Sequence, residues 1–489
     1  MRRFVIAIVA LGLWTSAAFA AAPNVILIMT DDQGYGDFGA TGNPLIRTPN
    51  IDKMASQSAW MRTFYVSPVC SPTRASLMTG RYNYRTRCID TFVGRSMMEP
   101  EEITIAEILR DAGYATGMFG KWHLGDSYPM RAMDQGFEES LVHRGGGLAQ
   151  PADPPENENR YTDPVLIHNG RVVRTQGYCT DVYFDAAAIW IERMHDADRP
   201  FFAYIATNAP HGPFHDVPEN LSADYEQEDW SDIDRSSNGS GARNMPEIAA
   251  MITNVDDNVG RLLERLKAFG ADRDTLVIFM VDNGPNTRRY VGPFRGQKSE
   301  VYEGGIRSPL WMYWPRHLRP DDSRDEPVAH IDLLPTILDM CDVAPPPNLR
   351  LDGRSFWPLL TGEAGAWPDR SLVIQTHRGD VPQRYHHFMI RKGNWKLLHA
   401  SGFGRETFDG QPEFELYDVV ADPGESHNRF GSEPDIAERL IAGYDAWFDD
   451  VSSTRPDNYA PPRIQIGTPY EEITVLTRQD WRGGTWATD

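Results

Sequence analysis

The chain carries several apolar runs that do not alternate and that end abruptly in polar residues. Residues 24–29 (NVILIM) give way to Thr30-Asp31-Asp32-Gln33-Gly34. Residues 275–281 run into Asp282-Asn283-Gly284, residues 201–206 into Thr207-Asn208-Ala209-Pro210-His211, and the shorter 115–119 into Gly120-Lys121-Trp122-His123. A run without alternation predicts a strand buried on both faces, the situation of a parallel sheet between two helical layers. Helical patterns fall between these runs. Residues 103–112 follow Glu101 and Glu102 and stop at Gly113; 181–195 follow Thr180 as a cap candidate; 246–269 open with Pro246 and close at Gly270,. The alternation predicts an α/β fold on a doubly wound, mostly parallel sheet over residues 23–369. In such a sheet the ligand crevice lies outside the carboxyl ends of the strands, so the four polar endings are expected to converge. From residue 370 to 489 short strand-like segments with brief gaps, then a helix at 434–448, predict a smaller antiparallel α+β subdomain,.

The first 20 residues read as a signal peptide: Arg2 and Arg3, an apolar run over 4–14, then Ala18-Phe19-Ala20,. Export to a periplasm or the medium is expected. No later stretch is apolar enough for a membrane span. The net charge of −21 argues against nucleic acid as a partner,. An anionic substrate would need a few local cations to overcome that field. Four cysteines, Cys70, Cys88, Cys179 and Cys341, are too few for a disulfide scaffold in so long a chain,.

Asp31, Asp32, Asp282 and the amide oxygen of Asn283 are hard donors suited to Ca²⁺ or Mg²⁺. Singly, an aspartate after a strand opens a turn, Lys121 is a surface charge, Lys298 pairs with Glu300 or Glu303, and a lone histidine is structural. Together, at these chain positions, they point to a site. Adjacent Asp31 and Asp32 repel each other unless solvated or bridged by a cation. Cys70 stands among hydroxyls, prolines and Arg74, either as a buried thiol, as a partner for Cys88, or as something else.

Cys70-Ser71-Pro72-Thr73-Arg74 and the following ASLMTGR resemble the signature of type I sulfatases, the formylglycine-dependent branch of the alkaline phosphatase superfamily. Five more segments agree in order: NVILIMTDDQGYGD, GKWHLG, APHGPF, VDNG and FRGQKSEVYEGGIRSP, and ELYDVVADPGESHN is also similar. The resemblance implies an alkaline phosphatase-like fold and oxidation of Cys70 to formylglycine by a separate maturation enzyme. An aldehyde hydrate offers two hydroxyls on one carbon, one to attack the sulfate ester and one to expel sulfate. It further implies Asp31, Asp32, Asp282, Asn283 and the modified Cys70 around a cation, most often Ca²⁺. Lys121 and Lys298 would hold sulfate oxygens, and Arg74 would orient the nucleophile. His123 would take a proton from the second hydroxyl and His211 would protonate the leaving alcohol. The expected substrate is a sulfated carbohydrate, since export and two long polar stretches, 144–163 and 215–244, suit an extended groove. Small aryl sulfates, and phosphonate monoesters or phosphodiesters, are the alternatives. His377 and Arg378 are candidate substrate contacts.

Overall fold

In the strand Asn24–Thr30, Val25, Leu27 and Met29 enter one apolar core while Ile26 and Ile28 enter a second. The strand Thr275–Val281 divides in the same way, with Leu276, Ile278 and Met280 on one side and Val277, Phe279 and Val281 on the other. Both faces are covered, which is why these runs do not alternate. The first core receives the helices Cys70–Thr79, Ile105–Asp111 and Leu333–Met340. The second receives Cys179–Asp196 and Met245–Ala268. Burying a Leu, Ile or Phe side chain contributes about 1.5–3 kcal/mol, so the two cores dominate the stability of this part.

This computed structural model describes residues 22–477 except 93–94, 364, 366, 380 and 458–459. The expected signal peptide lies outside the described residues. No helix among those residues is long and apolar enough to cross a membrane. Five parallel strands form the centre of a nine-stranded sheet, in the order Thr275–Val281, Asn24–Thr30, Phe201–Ala206, Ala115–Lys121, Glu139–His143. Short antiparallel strands extend both edges, Leu310–Tyr313 and Ala59–Trp60 on one side, Val165–His168 and Arg171–Arg174 on the other. Thr30 is level with Val281, and Ala206 with both Met29 and Gly120. The four polar endings therefore leave the same edge of the sheet at the same height.

Several element boundaries differ from expectation. Thr104 caps Ile105–Asp111 through a capping box with Glu107, whereas Glu101 and Glu102 lie before the cap. Thr180 does not precede its helix but sits in the first turn of Cys179–Asp196, behind Tyr178. The final helix runs Pro434–Ser452. It packs on a four-stranded antiparallel sheet, Ser371–Gln375, Phe388–Lys392, Trp395–His399 and Glu415–Asp418, in chain order. Lys396 of this sheet is fully buried between Glu303 (3.0 Å) and Glu425 (2.8 Å). Such a pair ties two parts of a chain in one orientation, because removing one partner strands a buried charge.

Candidate active site

Cys70 opens the helix Cys70–Thr79, every residue of which is buried. Pro72 falls in the first turn, where a missing N–H costs nothing. Gly80, at φ 65°, ends the helix in the left-handed conformation. All four cysteines are free thiols, so the Cys70–Cys88 bridge does not form. Burial pushes the Cys70 thiol up, while Lys121 and Lys298 pull it the other way.

Around Cys70 the sheet edge delivers three buried carboxylates and three buried or nearly buried cations. Arg74 donates Nη2 to Asp282 Oδ2 at 2.8 Å, lies 3.5 Å from Asp31 Oδ2, and donates Nη1 to the Lys121 carbonyl at 2.6 Å. The Lys121 ammonium bonds Asp31, and Lys298 Nζ lies 2.5 Å from Asp32 Oδ1. Lys298 is thus not a partner of its neighbours: Glu300 pairs with Arg288, and Glu303 with Arg307 and Lys396. Burial would raise Asp32, but Lys298, His211 and Lys121 hold it well below the usual carboxylate range. Burial, reinforced by Asp31, pushes Asp282 up to about 6.

Three oxygens in this cluster accept no hydrogen bond among the described residues: Asp31 Oδ1, Asp32 Oδ2 and Asn283 Oδ1. Asn283 is oriented by donating Nδ2 to Asp32 Oδ1 (2.9 Å) and to the Gly284 carbonyl (2.9 Å), which fixes which amide atom is left over. Ligand atoms of Asp31, Cys70 and Asp282 lie within 4.8 Å of one another, as do those of Asp31, Asp32 and His211. Ligands on one Ca²⁺ at about 2.3–2.6 Å are separated by no more than about 5 Å, so this set fits a hard divalent cation. Unbonded buried carboxylate oxygens are costly otherwise.

His123 and His211 face the same cavity, of about 230 Å³. His123 Nε2 is 3.1 Å from the Thr91 carbonyl, which only accepts, so Nε2 carries the proton and buried Nδ1 has no partner among the described residues. Gly146 closes over this ring: a Cβ there would sit 2.7 Å from His123 Cε1. His211 donates Nδ1–H to the Gly212 carbonyl and directs Nε2 toward Asp32 Oδ2 at 3.5 Å. Burial drives both imidazoles down, His211 to about 3 despite the pull of Asp32; Lys121 and Arg74 push His123 in the same direction.

The two substrate-contact candidates separate. Arg378 lines the cavity with its side chain 36% exposed, donates Nη1 to Asp90 at 2.8 Å and lies over the rings of Phe92 and Phe403. His377 does not line it. It is fully buried, stacked on His386 at 4.1 Å, with Nδ1 bonded to the Arg378 carbonyl. Sequence reasoning missed Thr91, Phe92, Gln150 and Phe403, which share the wall with Arg378. None sits at a strand ending, and none has a residue type that announces chemistry.

Residues 23–343 match the family model described as Sulfatase, and residues 296–441 the model for the C-terminal part of N-sulphoglucosamine sulphohydrolase. The chain is 32% identical to arylsulfatase A of Homo sapiens over 88% of each protein. It is 30% identical to N-acetylgalactosamine-6-sulfatase of Canis lupus familiaris, over 87% of this chain and 82% of that one. Among solved structures it resembles Ps i-CgsB in complex with k-i-k-neocarrahexaose, at 28% identity and a TM-score of 0.75, covering 91% of this chain and 94% of that one. With a cysteine-headed buried helix, gathered oxygens and these relatives in agreement, the chain belongs to the sulfatase family and is a sulfuric ester hydrolase.

Proposed function

We propose that the protein is an exported hydrolase of O-sulfate esters on carbohydrate, working at residue 70 after a maturation enzyme has oxidised Cys70 to formylglycine. Residues 23–369 form its catalytic part and 370–489 a subdomain, from which Arg378 and Phe403 line the cavity. The observation that carries this reading is the set of unbonded oxygens on Asp31, Asp32 and Asn283 beside Cys70. Three carboxylates set against Arg74, Lys121 and Lys298 are neutral as a group, so a bound dication would leave the cavity positive inside a chain of net charge −21. That is the local reversal an anionic ester needs.

Asp31, Asp32, Asp282 and Asn283 would hold the cation, Ca²⁺ by preference and Mg²⁺ as the alternative, with residue 70 as a further ligand. When bound, the cation acidifies the attacking hydroxyl and polarises the S–O bonds. Oxidised to formylglycine and hydrated by water, residue 70 would supply one hydroxyl to attack sulfur as the alcohol leaves and a second whose loss of a proton re-forms the carbonyl and releases sulfate. Arg74 fixes the direction of Asp282 and of the Lys121 backbone. Lys121 and Lys298 bind the sulfate oxygens, where negative charge accumulates. His123 takes a proton at Nδ1, the nitrogen that its Thr91 bond leaves free. His211 delivers a proton from Nε2 to the departing oxygen; the charge of the bound ester offsets the burial that otherwise keeps this imidazole neutral,.

The carbohydrate reading draws on Thr91, Gln150 and Arg378 in the cavity wall, and on the likeness to N-acetylgalactosamine-6-sulfatase and to Ps i-CgsB, whose structure holds k-i-k-neocarrahexaose. Phe92 and Phe403 in the cavity wall favour a second reading, an aryl sulfate packed against that wall. Turnover of a panel of sulfated oligosaccharides against an aryl sulfate separates the two. A kcat/KM for the best oligosaccharide below that of the aryl compound would overturn the first.

A further inference from the structure

Lys298 leaves a turn whose backbone is held from three directions. Its own N–H donates to the Pro285 carbonyl (2.9 Å), just beyond Asp282 and Asn283. The next N–H, of Ser299, donates to the Pro68 carbonyl (2.8 Å), just ahead of Cys70. The Ser299 carbonyl accepts from His387 Nε2 at 2.9 Å. The first two anchors belong to the loops that already carry the site. The third comes from the other sheet, one residue before the strand Phe388–Lys392.

Ser299 has φ 68°, and His387 itself has φ 46°. A non-glycine residue in this region costs about 1–3 kcal/mol and persists where its surroundings over-determine it. His387 is buried, accepts at Nδ1 from the Gly402 N–H (3.2 Å) and donates its own N–H to Ser401 Oγ (2.8 Å). A carbonyl only accepts and an amide N–H only donates, so the neutral imidazole with its proton on Nε2 is the one form that satisfies both partners.

We propose that His387 is a positioning residue for Lys298, holding the Ser299 carbonyl so that the lysine ammonium keeps its place over the sulfate. The inference rests on the reading of Lys298 as a sulfate ligand. It gives the C-terminal sheet a direct part in the chemistry, through one hydrogen bond. Without that bond the turn relaxes out of its left-handed conformation, and a shift of about 1 Å at a reacting group costs up to about 10²-fold in rate.

The test uses full-length, calcium-loaded protein whose residue 70 conversion and thermal midpoint are measured for every variant. His387→Asn keeps an acceptor for Gly402 but falls short of Ser299, whereas His387→Gln reaches it; His387→Leu offers neither. The Asn variant is expected to lose about tenfold or more in kcat/KM on an aryl sulfate and to weaken inhibition by inorganic sulfate in parallel, and Gln to recover to within about threefold. Combined with Lys298→Ala, His387→Asn is expected to add no further loss. Losses that multiply in the double variant, or an Asn variant with wild-type kinetics and sulfate inhibition, would overturn the positioning role alone. A Lys298→Ala enzyme that binds sulfate and turns over like wild type would overturn the lysine's reading and this proposal together. Should His387→Asn fold poorly, Ser299→Gly with His387→Gln and His387→Leu carries the same comparison. Glycine takes φ 68° without strain,, so the gap between Gln and Leu is expected to narrow there, and an unchanged gap counts against the proposal.

Discussion

The guanidinium of Arg378 lies 5.6 Å from the centre of the Phe92 ring and 4.9 Å from that of Phe403, while Nη1 is held by Asp90. A planar donor fixed in this way offers directed hydrogen bonds to a ligand in the cavity, and bonds to a charged group contribute about 1.5–3 kcal/mol. Arg378→Ala is therefore expected to raise KM for a sulfated oligosaccharide about tenfold or more and to leave KM for an aryl sulfate within about threefold. Steady-state kinetics on the two substrates check this; equal effects would remove Arg378 from sugar recognition. The role assigned to His211 has its own signature. A sugar alkoxide is a poor leaving group that needs its proton, whereas a nitrophenolate leaves without one. His211→Ala is expected to lower kcat by about 10²–10⁴ on the sugar sulfate and by less than about tenfold on nitrophenyl sulfate, as a leaving-group series would show.

At the scale of elements, His330 ties the loop before Cys70 to the turn that opens Leu333–Met340. Its Nε2 lies 3.1 Å from Ser67 Oγ, and buried Nδ1 has no partner among the described residues. Burial alone pushes its pKa from 6.5 to about 3. The unfolded chain takes up a proton at this residue below about pH 6.5 and the folded chain does not. Stability from the neutral ring is thus complete above that pH and is lost as pH falls toward 3. His330→Leu removes the dependence, so the wild type's advantage in unfolding free energy is expected to shrink by about 2 kcal/mol from pH 7 to pH 5. Urea denaturation at both values measures it, and a constant difference would contradict it. The elements that carry the site were legible because each polar residue follows an apolar run: Asp31, Asp282, Lys121 and His211 stand where a parallel sheet must deliver them. The partner of Lys298 was not legible. Glu300 and Glu303 are near in sequence, yet the turn at Ser299 directs the ammonium to Asp32. The cavity wall was equally hidden, since Phe92, Gln150, Arg378 and Phe403 come from separate segments with no shared spacing. The short antiparallel edge strands escaped because two to four residues carry too little periodicity,.

For the whole molecule, the balance of charge decides what can bind. A chain of net charge −21 gathers three acidic side chains at one buried point, and the three cations matched to them leave oxygens on Asp31, Asp32 and Asn283 without a bond from any described residue. A cation bound to the folded chain and not to the unfolded one stabilises by mass action, about 2.7 kcal/mol at a hundredfold excess over Kd. Calcium is expected to raise the thermal midpoint, a chelator to return it, and Asn283→Ala to reduce the increment; a midpoint indifferent to calcium and chelator would leave these oxygens without their assigned ligand. Everything proposed for the site depends on residue 70 working as the hydrate of an aldehyde and no longer as a thiol. Mass spectrometry of the proteolytic peptide spanning Cys70 to Arg74, taken from preparations of graded specific activity, tests it most directly. The mass of formylglycine at residue 70 is expected in proportion to activity, and fully active protein carrying an intact cysteine there would overturn the proposed chemistry.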